Sequence, residues 1–242
     1  MQYALVADIH ANAAAFAAVL RDIESRGADQ IICLGDVVGY GPDPHECVEL
    51  LRGSRAAAVS GNHDLAVLDR LNLSYFSPDA AMAARWTTGK LTGGDRAYLG
   101  GLPDMLIQGE LTLVHGSPRQ PAWEYLISLG SARQNFSHFK TQLCFIGHSH
   151  LPLVFKQEGT DVSFMQVSES VGLSLRTGRY IINPGSVGQP RDGDPHASYA
   201  MYDSESRLLR LRRVSYNIKA VQERFFKAGL PLRLASRLEQ GI

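Results

Sequence analysis

Residues 2–36 read QYALVADIHANAAAFAAVLRDIESRGADQIICLGD. A short apolar run, Tyr3–Ala7, leads into Asp8-Ile9-His10, and a second, Gln30–Leu34, leads into Gly35-Asp36. Between them, from about Asn12 to Arg26, Phe16, Val19, Leu20 and Ile23 recur at the period of an amphipathic helix while Asp22, Glu24 and Arg26 stay polar; Gly27 stops it. Strand, helix and strand at this spacing predict an α/β chain with a mostly parallel sheet. A helix after Pro44 and the run Ala56–Ser60 extend the pattern.

Further out, residues 65–100 carry no strand signal, and Pro78 opens an Ala-rich helical stretch through Trp86 followed by a short helix ending near Gly100. Strand character returns at Met105–Gln108 and Leu111–Val114, across the turn-like pair Gly109-Glu110. A helix over Ser131–Lys140 precedes Leu143–Ile146; then come Leu153–Lys156, Val162–Val167, Tyr180–Ile182, Ser198–Tyr202 and Leu208–Val214. From Asn217 two helices are expected, broken at Gly229-Leu230-Pro231. No repeat, low-complexity tract or linker cuts the chain, so residues 1–242 are expected to form a single domain, with 65–100 a helical excursion and 215–242 the C-terminal helices.

Lysine plus arginine (24) cancels aspartate plus glutamate (24), which leaves no net field to draw the chain onto nucleic acid or an anionic membrane. The longest apolar stretch, Ala11–Leu20, is too short to span a bilayer, and the N-terminus lacks the basic region of a signal peptide. These features predict a cytoplasmic protein with neither a membrane anchor nor dedicated nucleic-acid binding. Cys33, Cys47 and Cys144 are odd in number, with two inside apolar runs, and read as reduced structural residues.

Nearly every strand in the first 150 residues ends in a residue able to bind metal. Asp8 and His10 follow the first strand, Asp36 the second, Asn62-His63-Asp64 the third, and His115 and His148-Ser149-His150 the later ones. The carboxyl ends of strands in an open α/β sheet form the ligand crevice, so these loops should converge. Asp8 and His10, and likewise His148 and His150, are two apart and would project to one side of an extended backbone. Imidazole and oxygen donors without thiolate suit Mn, Fe, Co or Zn. Seven candidate ligands (Asp8, His10, Asp36, Asn62, His115, His148 and His150) exceed the needs of one ion. Two ions about 3.5–4 Å apart, sharing a bridging carboxylate, would use them all in a phosphoryl-transfer clamp.

In order, Asp-x-His, Gly-Asp, Gly-Asn-His-Asp, His and Gly-His-x-His resemble the motifs of the calcineurin-like metallophosphoesterase superfamily; Asn183-Pro184-Gly185-Ser186 is similar to its Pro-Gly-Ser turn. The resemblance implies two packed mixed β-sheets flanked by helices, with a dinuclear metal site at the strand C-terminal ends. It implies that Asp8, His10 and His150 hold one ion, Asp36 bridges, Asn62, His115 and His148 hold the other, and His63 is the catalytic acid. Manganese is the favoured ion. Gly39-Tyr40-Gly41-Pro42, His115-Gly116-Ser117-Pro118 and Asn183 to Arg191 resemble a bacterial branch grouped with diadenosine tetraphosphatases and serine/threonine protein phosphatases. Where protein phosphatases carry an Asp-Arg pair, this chain has Gly39 and Tyr40, and Ala7 and Ala11 stand where Ser and Gly are usual.

The expected activity is hydrolysis of a phosphoester or phosphoanhydride by single displacement, a hydroxide between the two ions attacking phosphorus without a phosphoenzyme. A small, nucleotide-like phosphorylated substrate such as a diadenosine polyphosphate is expected; a phosphodiester, a phosphoprotein or a non-catalytic scaffold role are the alternatives. Asp8 and Asp36 could instead cap helices, and Asp64 reads as a cap. Arg119 and Arg191 are candidate phosphate forks, with solvated loop arginines the competing reading, and Tyr40 is a candidate base-stacking residue. Tyr75, Phe76 and Trp86 are assigned to core packing, and Arg207, Arg210, Arg212 and Arg213 to a solvated strand face. His45, His138 and His196 receive no role. Ile218, Val221 and Phe225, with Leu230, Leu234 and Leu238, fit either packing within the chain or an interface in a homo-oligomer.

Overall fold

In the computed structural model, which describes residues 1–242, the quoted stretch folds as β1 (Gln2–Val6), α1 (Ala13–Arg26) and β2 (Gln30–Cys33). The Asn12 side chain accepts from Ala15 N at 3.1 Å to cap α1, and Gly27 ends it at φ 69°. Then follow α2 (Pro44–Gly53), β3 (Ala57–Ala58), α3 (Asn62–Ala66), α4 (Pro78–Thr88), α5 (Gly93–Gly100), β4 (Met105–Gln108) and β5 (Leu111–Val114). The second half runs α6 (Leu129–Asn135), β6 (Leu143–Phe145), β7 (Pro152–Glu158), β8 (Asp161–Met165), β9 (Leu173–Ser174), β10 (Arg179–Pro184), β11 (Ala197–Asp203), β12 (Leu208–Val214), α7 (Ile218–Ala228) and α8 (Leu232–Gln240).

Two six-stranded mixed sheets result, ordered β3-β2-β1-β11-β12-β9 and β4-β5-β6-β10-β7-β8. Only β1–β2, β2–β3, β5–β6 and β6–β10 pair in parallel; the other neighbours are antiparallel, which corrects the expectation of a mostly parallel sheet. The crossover signal comes from residues 2–60 and covers only β1, β2 and β3. Later neighbours such as β4–β5 and β7–β8 are joined by short turns at Gly109 and Gly159, which favour antiparallel pairing. The helix expected over Ser131–Lys140 spans Leu129–Asn135 instead, because Ser128 caps it by accepting from Ser131 N at 3.2 Å.

Alternating strand residues fill two cores. On β1, Leu5 joins Ile32, Leu113, Phe145, Ile182 and Tyr202 between the sheets, whereas Ala4 and Val6 join Phe16, Val19, Ile23, Val48 and Leu51 beneath α1 and α2. Complete burial of each such Leu, Ile or Phe contributes about 1.5–3 kcal/mol. On the outer face of the second sheet Cys144, Phe155 and Ile181 pack with Ala132 and Phe136. The stripes Val221–Phe225 and Leu230–Leu234–Leu238 pack with Ala83 of α4 and with Trp86, so they seat the C-terminal helices on the helical excursion rather than on a sheet. All three cysteines are buried and free. No helix is long and apolar enough to cross a membrane.

Candidate metal centre

The parallel strands of both sheets aim their carboxyl ends at one place. Asp8 and His10 follow β1, Asp36 follows β2, Asn62 and His63 open α3 after β3, His115 follows β5, and His148 and His150 follow β6. All eight side chains are buried.

Hydrogen bonding fixes the protonation of four imidazoles. His10 Nδ1 lies 3.3 Å from Val38 O, His150 Nδ1 2.6 Å from Gln189 O, His115 Nδ1 2.8 Å from Leu34 O and His148 Nε2 3.2 Å from Trp123 O. A carbonyl only accepts, so each of these nitrogens donates; on the neutral rings of His10, His148 and His150 the opposite nitrogen presents a lone pair, whereas His115 Nε2 carries a proton held by Asp36 and Asn62 Oδ1. Those inner nitrogens face one another: His10 Nε2 is 3.0 Å from His150 Nε2, and His115 Nε2 is 3.2 Å from His148 Nδ1. Asp36 Oδ2 stands between the pairs, 3.6 Å from His10 Nε2 and 3.4 Å from His115 Nε2. Asp8 Oδ1 is 3.5 Å from His150 Nε2, and Asn62 Oδ1 is 3.0 Å from His115 Nε2.

The opposed lone pairs of His10 and His150 repel unless a cation joins them, and at the other pair the His115 proton occupies the place between Asp36 and His148 that a cation would take. Divalent ions with borderline N/O preference therefore fit this donor set, whose outer hydrogen bonds are the kind that orient metal-bound histidine. Metal-compatible triads are Asp8–His10–His150, Asp36–His115–His148 and His10–Asp36–His63. Burial holds His10 and His150 well below the usual imidazole range, and His148 at about 3. His115 is the exception: burial opposes its proton, but Asp36 outweighs burial and raises it to about 9. Burial pushes Asp8 up to about 7, whereas against burial the surrounding imidazoles keep Asp36 well below the carboxylate range.

The backbone delivers these residues in a way that extended alternation does not. Asp8, His10, Ala11, Asp36, Tyr40, His148 and His150 all have φ between 48° and 66°, seven of the ten non-glycine residues with positive φ. Thus Asp8/His10 and His148/His150 converge through left-handed turns, not through the extended geometry expected from their spacing. Each such residue costs on the order of 1–3 kcal/mol, held by surrounding structure. The hold is visible: Asp8 N donates to Gly35 O at 3.1 Å, His10 N to Asp36 O at 2.9 Å, and His148 N to Asp8 Oδ1 at 3.0 Å. A Cβ on Gly61 would sit 2.0 Å from Asp36 Oδ1, so only glycine lets that strand end approach. Asn183 donates to Gly147 O at 2.6 Å and to Ser149 Oγ at 3.0 Å, and Ser186 Oγ donates to Asp8 O at 2.8 Å; the Asn-Pro-Gly-Ser turn thereby braces two metal-facing loops.

Above the centre is a cleft of about 160 Å³ lined by Asp36, Asn62, His148 and His150 at its floor. His63 lines it too, with Nδ1 free of any hydrogen-bond partner and its pKa lowered by burial to about 4. Its backbone N–H donates to Asp36 Oδ1 at 2.9 Å, and its ring packs 4.4 Å from that of Tyr40. Arg191 reaches the cleft and touches Tyr40 Oη at 3.4 Å and Gln189 Oε1 at 3.1 Å. Arg119 does not reach it; its guanidinium is taken by Glu124 and, at 2.6 Å, by Gln134 Oε1. Asp64 accepts from Gly61 N and Val38 N, the capping role expected of it.

The upper walls depart from expectation. Tyr75 and Phe76, assigned above to core packing, line the cleft, because the turn before α4 swings back over the centre; Trp86 alone of the three packs in a core. Facing them are Trp123 and Tyr125, the latter stacked on His148 with ring centroids 4.0 Å apart. No pattern in the sequence marks Trp123 or Tyr125; two aromatics in a loop soon after His115-Gly116 are the only signal. On β12 the arginine face is not uniformly solvated, since Arg213 pairs with Asp192 and Asp194.

An uncharacterized protein of Methanocaldococcus jannaschii is 40% identical over 98% of this chain and 97% of its own length. Phosphodiesterase YfcE of Escherichia coli is 27% identical over 85% of the chain and 89% of its own. A metallophosphoesterase from Sphaerobacter thermophilus, known from its crystal structure, is 44% identical and superposes with TM-score 0.91 over 100% of this chain and 99% of that one. Residues 1–207 match the calcineurin-like phosphoesterase superfamily domain, to which this chain therefore belongs as a hydrolase of phosphoester bonds.

Proposed function

We propose that the chain is a dinuclear metal-dependent phosphohydrolase acting on small phosphodiesters or phosphoanhydrides with a nucleoside-like group. The convergence of the inner nitrogens of His10/His150 and of His115/His148 on either side of Asp36 carries this reading. In it Asp8, His10 and His150 hold one ion, Asn62, His115 and His148 the other, and Asp36 bridges; manganese remains the favoured metal. When bound, the two ions supply charge neutralisation at the phosphoryl oxygens and an activated water. Arg191, with no carboxylate partner, binds the phosphate. His63, whose ring lines the cleft and is neutral in its buried resting state, is the general acid: as the imidazolium, which the negative charge of a bound phosphate favours, it passes its proton to the departing oxygen and returns to the neutral ring. The narrow cleft and its aromatic rim favour a planar leaving group over a folded phosphoprotein, and likeness to a relative named a phosphodiesterase supports the diester class.

The test is hydrolysis of diadenosine tetraphosphate, bis-p-nitrophenyl phosphate, p-nitrophenyl phosphate and a phosphothreonine peptide by the manganese-loaded chain, with metal content measured. Two ions per chain, turnover of a diester or anhydride, and an inert Asp36→Asn variant are expected. A chain that binds two ions and hydrolyses none of the four is a scaffold, and the proposal falls.

A further inference from the structure

Ser77 lines the catalytic cleft and also a second hollow of about 280 Å³, whose other walls are Pro78, Asp79, Arg233, Leu234 and Arg237. Arg233 and Arg237 are one turn apart on α8 and share a face. Several arginines are neutralised by a carboxylate, such as Arg26 by Asp22, Arg119 by Glu124, Arg213 by Asp192 and Arg224 by Asp43. Arg191, Arg233 and Arg237 form no ion pair with an aspartate or glutamate. Arg191 touches only Tyr40 Oη and Gln189 Oε1, and Arg237 Nε donates to Ile242 O at 2.7 Å, which leaves its two terminal nitrogens for another partner. Arg237 is near enough to Arg191 and Arg233 for their charges to add to burial in lowering its pKa, a crowding of like charge that an anion would relieve. Asp79, on the same wall, offsets one of these charges, while the first turn of α4 turns its positive end toward the hollow. Both α8 arginines lie beyond residue 207, where the match to the superfamily domain stops.

We propose that this hollow is a second anion subsite that seats a further phosphate group of the substrate, so that the preferred substrate carries two or more phosphates. The proposal rests on the reading of the adjoining centre as the hydrolytic site. Arg191 grips the phosphate under attack, and Arg233 and Arg237 hold the distal one across Ser77. The two spaces border on Ser77, side by side, so that one molecule with linked phosphates would reach both.

Two measurements on an Arg233→Gln/Arg237→Gln variant decide it. In calorimetry on the metal-free chain, the Kd for tripolyphosphate should rise about tenfold, as expected for losing charged hydrogen bonds. In manganese-loaded kinetics, the ratio of kcat/KM for diadenosine tetraphosphate to that for bis-p-nitrophenyl phosphate should fall by about the same factor. An unchanged Kd, or an equal change for both substrates, overturns the subsite. If neither substrate is turned over by the loaded wild type, the hydrolase reading fails while the calorimetry still decides the subsite. Arg233→Gln alone, on an exposed side chain, gives the same sign of effect should the double variant not fold.

Discussion

The floor and the walls of the cleft are built by opposite rules. On the floor, His10, Asp36, His115 and His150 are nearly inaccessible, each imidazole is oriented by a backbone carbonyl, and the loops sit in left-handed conformations clamped by neighbouring backbone. On the walls, Tyr75 is 75% and Tyr125 49% exposed, and Tyr75 meets Trp123 only edge to face, with ring centroids 6.1 Å apart. The floor rises from strand ends locked into two sheets; the walls come from connections between elements and from the first turn of α4. A centre that must hold cations needs preorganisation, whereas a wall that meets a substrate needs surface. Substitutions should therefore act on chemistry at the floor and on selection at the walls.

His63 tests where that boundary runs. It forms a metal-compatible triad with His10 and Asp36, yet its ring also lines the open cleft. As proton donor, His63→Ala should lower kcat by roughly 10²–10⁴-fold with two ions still bound. Loss of an ion, measured by atomic emission, would move His63 into the floor as a ligand.

Gly61 probes the clamp beneath. Its missing Cβ leaves room for Asp36 Oδ1, so Gly61→Ala must displace the residue that lies between the two histidine pairs. Metal affinity should drop about 10–100-fold, and overpacking should cost about 1–3 kcal/mol of stability. Metal titration together with an unfolding midpoint separates the two. A variant with normal affinity would show that Asp36 tolerates movement and that the floor is less rigid than its backbone implies.

The same division governs what the sequence reveals. The floor residues are legible because chemistry restricts them to Asp, Asn and His at the ends of apolar runs, which fold as β1, β2, β3, β5 and β6. Their left-handed backbone is not legible, since Asp8, His10 and His148 carry no mark of it and the clamps reach across 140 positions from His148 N to Asp8 and 178 from Ser186 Oγ to Asp8 O. Antiparallel pairing in the second half is equally hidden: β11 beside β1 joins Tyr3 to Tyr202, a register no local pattern encodes. The walls are the least legible, because Tyr75, Trp123 and Tyr125 become walls only when separate connections of the chain meet over the centre.

Tyr75 carries the smallest expected effect and the sharpest test of the walls. Its ring is free on one side and held on the other by Trp123, so a planar group entering the cleft can stack there without disturbing a core. Removing one aromatic partner costs about 0.5–1.5 kcal/mol, hence roughly threefold to tenfold in binding. Tyr75→Leu keeps apolar bulk and removes the ring; with it, inhibition by AMP should weaken by that factor while inhibition by orthophosphate and the kcat for a diester stay as they were. Should orthophosphate inhibition weaken equally, Tyr75 is supporting the floor through Phe76 and His63, whose rings pack 5.1 Å apart, and the separation of wall from floor fails at that contact.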